Sequence, residues 1–328
     1  MSHRPEPAPA APPPAPPTLL YIVGHHKSGS TLMGAILGGS PEIFFAGELY
    51  RFPKPIWIPG DPARMCSCGR SVLECPLWSS VRDEYEPTHE LAALRAGQRR
   101  FERASRFLAT WRDSRRGRSD FVGHVAAMDD LVALLARKTG ARVVVESGFA
   151  AVRGWVYRQS RPERLRVKYL HLVRDGRAFL WSEVRLTDVP EDGGWWVRTP
   201  PVIVARWVVM NLLAIALCGQ DPSRYLRVRY EELVTAPRAT LRRIGEFVGV
   251  DLGEVIEKLE GRISIPQRHI AAGSWHRMDG PVVLRPDFSW RTGLPRSTQA
   301  LYWVTTGWLA RLFGYRRRPV EEPSTAVR

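Results

Sequence analysis

Residues 19–37 read LLYIVGHHKSGSTLMGAIL, a short aliphatic run that stops at Gly24 and gives way to a helical pattern from Thr31. Leu19–Val23 has the length and composition of a strand buried on both faces, and Thr31–Leu37 reads as the first turns of a helix. Gly24 and Gly29, five positions apart, let successive backbone N–H groups wrap an anion. The helix N-terminus adds its partial positive charge. The alternative is a Gly-containing strand-to-helix turn with no ligand. A nucleotide-hydrolysing loop carries G-x-x-x-x-G-K-[ST], with its lysine after the second glycine and a hydroxyl on Mg²⁺. Here Ser30 stands at the lysine position, and the only lysine, Lys27, has moved inside the loop. That shift weakens a Mg²⁺-triphosphate reading and suits a less charged anion, such as a 5′-phosphosulfate.

Three further runs resemble the first: Arg142–Val145 (RVVV), Val167–Val173 (VKYLHLV) and Tyr225–Arg229 (YLRVR). The first leads into ESGFAAVRG, the second into Arg174-Asp175-Gly176 and a helix through about Leu186. The third leads into YEELVTAPRATLRRIGEFVGV, where Pro237 suits the first turn of an amphipathic helix. Short strands alternating with helices predict an α/β, P-loop-type three-layer fold with a central parallel sheet flanked by helices. Ligands then bind beyond the carboxyl ends of the strands. Residues 50–130, with helices expected over Glu90–Arg112 and Met128–Lys138, read as a helical, Cys-containing insertion between the first two strands. Residues 262–298 read as a structured loop. An apolar helix is expected over Thr298–Phe313, within a single domain spanning 18–315.

The chain has 328 residues, 44% of them apolar and 25% charged, which excludes global disorder. Its net charge is +15, and only five of the 48 basic residues are lysine. This matches either an arginine-decorated surface or an anionic partner: a polyphosphate cofactor, an acidic substrate, a lipid surface or nucleic acid. No nucleic-acid motif is present, so no nucleic-acid partner is expected. Residues 1–17, Pro/Ala-rich, read as a disordered tail rather than an export signal. Residues 316–328, opening with Arg316-Arg317-Arg318, read as a basic flexible tail that could rest on an anionic membrane, although a packed helix with a solvated tail is favoured. Val202–Cys218, interrupted by Arg206 and Asn211, reads as a core helix rather than a membrane span. Four cysteines and no export signal point to a reducing cytoplasm.

A second signal is Leu172-Val173-Arg174-Asp175-Gly176-Arg177, with Ser182 eight residues beyond Arg174. Arg174 leaves a buried strand at its carboxyl end, and Ser182 lies about two turns along the next helix. A guanidinium fork and a hydroxyl suit a second phosphate, whereas an Arg-Asp ion pair capping the helix fits as well. Together with the altered phosphate loop, the chain resembles sulfotransferases that use 3′-phosphoadenosine 5′-phosphosulfate (PAPS): bacterial relatives of the Golgi carbohydrate and tyrosylprotein enzymes. The resemblance runs from about Leu19 to Tyr315. It is densest in GHHKSGSTLMGAILGGSPEIFFAGEL, YLHLVRDGRAFLWS and VRYEELVTAPRATLRRIGEFVGV, and CSCGRSVLECPLW is similar to a segment of bacterial members.

The resemblance implies PAPS as cosubstrate and a hydroxyl acceptor: a carbohydrate, a glycolipid or another small metabolite. Lys27, Ser28, Gly29, Ser30 and Thr31 would hold the 5′-phosphosulfate, Arg174 and Ser182 the 3′-phosphate, and Tyr230 would assist. Lys27 would neutralise the leaving phosphate, and Glu48 would serve as base, with His25 and His26 as rivals and an ion-paired Glu48 as the bland reading. His269–Met278 sits where relatives carry a loop that closes over the nucleotide, with Gly273-Ser274 where they often have Gly-Asn. Glu146-Ser147-Gly148-Phe149 replaces a common Asp-Ser-Ser-Lys. A small-molecule P-loop kinase is the alternative function; a non-catalytic nucleic-acid- or lipid-binding protein leaves the phosphate loop idle. Cys66, Cys68 and Cys75 lack a fourth zinc ligand unless His89 is recruited, so they read as packed thiols and no metal is expected. Trp57, Trp78, Trp195, Trp196, Trp275 and Trp290 fall in expected loops, where they could stack on a sugar.

Overall fold

The structure, a computed structural model, describes residues 15–52, 65–185, 199–270, 284 and 286–318. Strand β1 (Thr18–Gly24) turns through the glycine loop into helix α1 (Ser30–Leu37), and β2 (Ile43–Gly47) follows. The remaining strands are β3 (Val143–Phe149), β4 (Arg166–Val173) and β5 (Tyr225–Arg229). All pair in parallel, in the order β2-β3-β1-β4-β5. The expected α/β class and parallel sheet are present. The sequence reading counted four strands and omitted β2, because a five-residue IFFAG run has no periodicity that separates it from a buried helical turn.

The sheet is covered on both faces, which is why its strands read as continuous apolar runs. Along β1, Leu20 and Ile22 pack with Met33 and Ile36 of α1 and with Leu241 and Ile244 of α10 (Pro237–Val248). Leu19, Tyr21 and Val23 point the other way, toward Leu131 and Leu135 of α5 (Ser119–Thr139) and Val152 and Val156 of α6 (Ala151–Tyr157). Each such side chain contributes about 1.5–3 kcal/mol when fully buried. This core does not depend on the exposed loop side chains at the strand ends, which can therefore be replaced without unfolding the chain.

The stretch expected as an insertion, about 50–130, falls between β2 and β3, because the uncounted β2 lies just before it. It holds α2 (Pro76–Tyr85), α3 (Leu91–Phe101), α4 (Phe107–Arg115) and α5. The single helix expected over Glu90–Arg112 is two, broken where Glu102 turns inward to meet Arg153 and His124. Helix α8 (Pro200–Cys218) has a mean hydropathy of 2.0 over an 18-residue window, long and apolar enough to cross a bilayer. A single stripe of it, Ile203, Trp207, Asn211, Ala214 and Cys218, is buried at helical spacing. It packs on β1, β4, α6, α7 (Gly176–Val184) and α13 (Arg296–Leu312), while Val209 on the opposite face stays exposed. The helix is thus a core element on one side only. The basic segment after α13 is held at its start: Arg177 donates to the carbonyls of Arg316 and Arg317. Residues 1–14 and 319–328 of the two expected tails lie outside the described residues.

Candidate functional site

Four strands deliver residues to one cavity of about 410 Å³ at the carboxyl edge of the sheet. Lys27, Gly29, Ser30 and Thr31 follow β1, Glu48 follows β2, Phe149 ends β3, and Arg174 follows β4, with Ser182 on the helix beyond. The position is the one expected of such sheets: β1 lies between β3 and β4, where the strand order reverses.

The loop takes its shape from its glycines. Gly24 has φ 150°, and a Cβ there would lie 2.6 Å from the Leu172 carbonyl oxygen. Gly29 has φ 96°, and its Cβ would lie 2.6 Å from the Tyr230 ring. Only glycine lets the backbone approach β4 and the tyrosine this closely. The helix N-terminus of α1 then faces the cavity, with its first N–H groups outside the intrahelical ladder. Lys27 itself adopts the left-handed region, φ 63°. Its side chain is exposed, and its ammonium makes no hydrogen bond or ion pair to the described residues. Ser28 is buried, with its N–H on the His25 carbonyl at 3.3 Å, so it shapes the loop and does not line the cavity.

Arg174 is 7% exposed and lies with its guanidinium 4.8 Å above the Tyr230 ring. Nη1 donates to the Lys27 carbonyl at 3.0 Å and Nη2 to Asp287 at 3.3 Å, while the buried Nε has no partner among the described residues. The ion pair considered between Arg174 and Asp175 is not formed. Asp175 caps α7 through the Arg177 N–H and pairs with the Arg177 guanidinium at 2.7 Å. Tyr230, 3% exposed, supports Gly29 and Arg174 from below and is not part of the cavity wall. The Ser182 hydroxyl donates to the Phe179 carbonyl at 2.8 Å and keeps its acceptor capacity.

The Glu48 carboxylate accepts from Tyr50 at 2.9 Å and pairs with Arg51, both through Oε2. It therefore lines the cavity and is ion-paired at once. Burial and the Glu48 charge push the Tyr50 hydroxyl up to about 12, so it remains a donor. The two histidines are occupied elsewhere. His25 is fully buried against Phe179 with Nδ1 on the His26 carbonyl at 2.7 Å, and desolvation lowers it to about 3. His26 lines the cavity but is bonded through Nε2 to Glu183 at 3.0 Å.

Asp287 was missed by the sequence reading. It stands beside Arg174, on the cavity wall. Burial opposes its charge, but bonds from Ser289 and the nearby Arg174 hold its carboxyl below the usual range. Its Asp-Phe-Ser context signals a turn, and nothing local signals the arginine 113 residues away. Phe149, in place of a lysine, closes one side near the His26 and Tyr50 rings. Of the expected tryptophan platform, Trp78 and Trp290 are buried, and Trp57, Trp195, Trp196 and Trp275 lie outside the described residues. Most of the expected closing loop, 271–278, lies outside them too. His89 stacks on Tyr85 and pairs with Asp130 at 3.2 Å, away from the cysteines.

Residues 166–254 match the sulfotransferase family. Among solved structures, the chain is similar to the sulfotransferase domain of the Synechococcus PCC 7002 olefin synthase. Identity is 22%, covering 94% of this chain and 98% of that one, with a TM-score of 0.51. It is also similar to the sulfotransferase domain from the curacin biosynthetic pathway, at 17% identity, 92% and 99% coverage and a TM-score of 0.50. Comparison with curated proteins gives no match. The family match falls within the stretch over which the sequence resembles sulfotransferases, and the fold is the one these two sulfotransferase domains share.

Proposed function

We propose that the chain moves the sulfuryl group of PAPS onto a hydroxyl of a small-molecule or glycan acceptor. The observation that carries this reading is the single cavity in which Lys27, Arg174, Ser182 and Glu48 meet. The residues fit the donor: an ammonium and a buried guanidinium nitrogen that have no partner among the described residues, and glycines that let N–H groups approach an anion. Arg174 and Ser182 would take the 3′-phosphate, and Lys27 with the α1 N-terminus would take the phosphosulfate. In the transfer the acceptor oxygen bonds to sulfur while the sulfur–phosphate oxygen bond breaks. The nucleotide bisphosphate leaves with the electron pair, Lys27 offsets its charge, and Glu48 takes the acceptor proton.

A neighbouring cavity of about 350 Å³ shares Phe149 with the first and is lined by Tyr50, Arg95, Arg99 and Arg103. Arginines four residues apart line one side of α3 and its end, which favours an acceptor with several polar or anionic groups, such as a glycan or a polar metabolite. Peripheral membrane contact draws support from exposed Leu301, Val304, Trp308 and Leu312 on α13, beside the basic segment. A cytoplasmic setting draws support from four free thiols. The kinase alternative is disfavoured because the cavity's carboxylates, Glu48 and Asp287, are each paired with an arginine and not arranged for Mg²⁺.

Thermal-shift titration tests the donor. Adenosine 3′,5′-bisphosphate at about a hundred times its dissociation constant stabilises a folded binder by roughly 2.7 kcal/mol. Arg174→Ala should weaken that binding by about 1.5–3 kcal/mol. A shift seen only with Mg²⁺-ATP would overturn the reading in favour of a kinase. Glu48→Gln should lower turnover by roughly a hundredfold or more at unchanged bisphosphate affinity. Near-normal turnover would remove Glu48 as the base.

A further inference from the structure

The cysteine-containing lobe holds a second cluster of chemistry that the transfer reaction does not use. The Sγ atoms of Cys66, Cys68 and Cys75 and a ring nitrogen of His269 all lie within 4.8 Å of one another. We propose that these four residues form a closed structural zinc site, which fastens the 66–75 lobe to the segment that enters the late loop.

The geometry suits the ion. Zn–S and Zn–N bonds of about 2.3 and 2.0 Å in a tetrahedron put sulfurs about 3.8 Å apart and sulfur and nitrogen about 3.5 Å apart. Nδ1 of His269 lies 3.2 Å from Cys75 Sγ and 3.8 Å from Cys66 Sγ. Three thiolates and an imidazole select zinc over magnesium or calcium, and four protein ligands leave no open position for catalysis. Packed thiols alone would not require an imidazole at their centre, nor an exposed Cys68 aimed at two buried partners.

The surrounding backbone is built to hold this arrangement. Cys66 N–H bonds Arg70 O at 2.8 Å and Gly69 N–H bonds Cys66 O at 2.9 Å, closing a tight turn in which Gly69 has φ 80°. Met65 and Ser71 bridge across its base. Ser67 N–H bonds the Ile270 carbonyl at 3.0 Å, and the Ser67 hydroxyl accepts from the Ile270 N–H at 2.9 Å. The turn is therefore tied to the residue next to His269. Trp78 Nε1 donates to the His269 carbonyl at 2.6 Å. His269 itself is left-handed, φ 48°, a conformation uncommon outside glycine that is held here by the bonds to its own carbonyl and to Ile270. Cys75 stands at the residue before the first turn of α2, so the site anchors that helix as well. Sequence spacing could not reveal this, because the fourth ligand lies 194 residues beyond Cys75.

The test uses the full chain without a metal-binding tag, purified with no added metal. Plasma mass spectrometry should find about one zinc per chain. After zinc is stripped and replaced, cobalt(II) should give the visible absorption of a tetrahedral site together with thiolate charge-transfer bands. Cys68→Ser, at an exposed position, and His269→Ala should each weaken zinc retention against a chelator by at least about tenfold, while His89→Ala should leave it unchanged. The proposal falls if the fully reduced wild-type chain takes up neither metal, or if both ligand variants retain zinc as wild type does. A Cys66–Cys75 disulfide in protein whose thiols are trapped on cell lysis would also overturn it.

Discussion

Lys27→Ala should lower turnover by roughly a hundred- to a thousandfold, the loss found when one donor aimed at developing charge is removed from an active site. The substitution should do so without unfolding the chain. The Lys27 side chain is exposed and its ammonium has no partner among the described residues, so truncation leaves no buried charge. Its left-handed backbone, φ 63°, costs alanine about what it costs lysine, neither being β-branched, so the substitution adds no new strain. The carbonyl that accepts from Arg174 at 3.0 Å is retained, and with it the loop's tie to β4. The deficit should therefore appear in kcat under saturating donor and acceptor, with melting temperature unchanged and bisphosphate affinity reduced less than turnover. Lys27→Arg, which keeps the charge, should recover part of the rate. If Lys27→Ala turned over near the wild-type rate, the leaving phosphate would have to be neutralised by another group, and Arg174 would be the next to test.

What could be read from sequence and what could not divide along chain distance. The β1, β3 and β4 runs were legible because a strand buried on both faces is largely apolar, and the half-buried edge strand β5 because its YLRVR run leads straight into a helical pattern. The placement of Lys27 and Arg174 at the cavity was legible because each follows such a strand, and that of Ser182 because it lies about two turns along the next helix. The missed contacts join residues with no local signal of each other: Arg174 with Asp287 at 113 residues, His26 with Glu183 at 157. The rival histidines illustrate the limit. Two adjacent imidazoles in a phosphate loop look like bases until burial removes one and a carboxylate from α7 occupies the other. Ser28 and Tyr230 lie where the motif puts them, yet they shape and support the site rather than line it, a distinction that only packing makes.

The Glu146-Ser147-Gly148-Phe149 stretch, read as a turn but in fact the second half of β3, shows the largest such hidden structure. Glu146 is fully buried in the middle of β3 and binds Arg153 at 2.7 Å, and Arg153 reaches Glu102 at 2.6 Å. Glu102 in turn meets His124 at 2.9 Å, and Tyr157 donates to Glu146 at 2.7 Å. One guanidinium thus compensates two buried carboxylates and joins the sheet to the insertion. Arg153→Met, close in volume but uncharged, should destabilise the chain by about 3–5 kcal/mol, because it leaves buried charge without its partner. The pH dependence fixes the cause. Burial already raises the Glu146 carboxyl above its ordinary value, with Arg153 opposing. Without Arg153 it rises further, so the folded variant binds protons more tightly than the unfolded chain. The loss of stability should then be greatest at neutral pH and shrink as pH falls through the raised value. Chemical denaturation at several pH values tests this, and adding Glu146→Gln to the variant should restore part of the stability at neutral pH. A deficit that stays flat with pH and is not relieved by Glu146→Gln would trace the loss to packing alone.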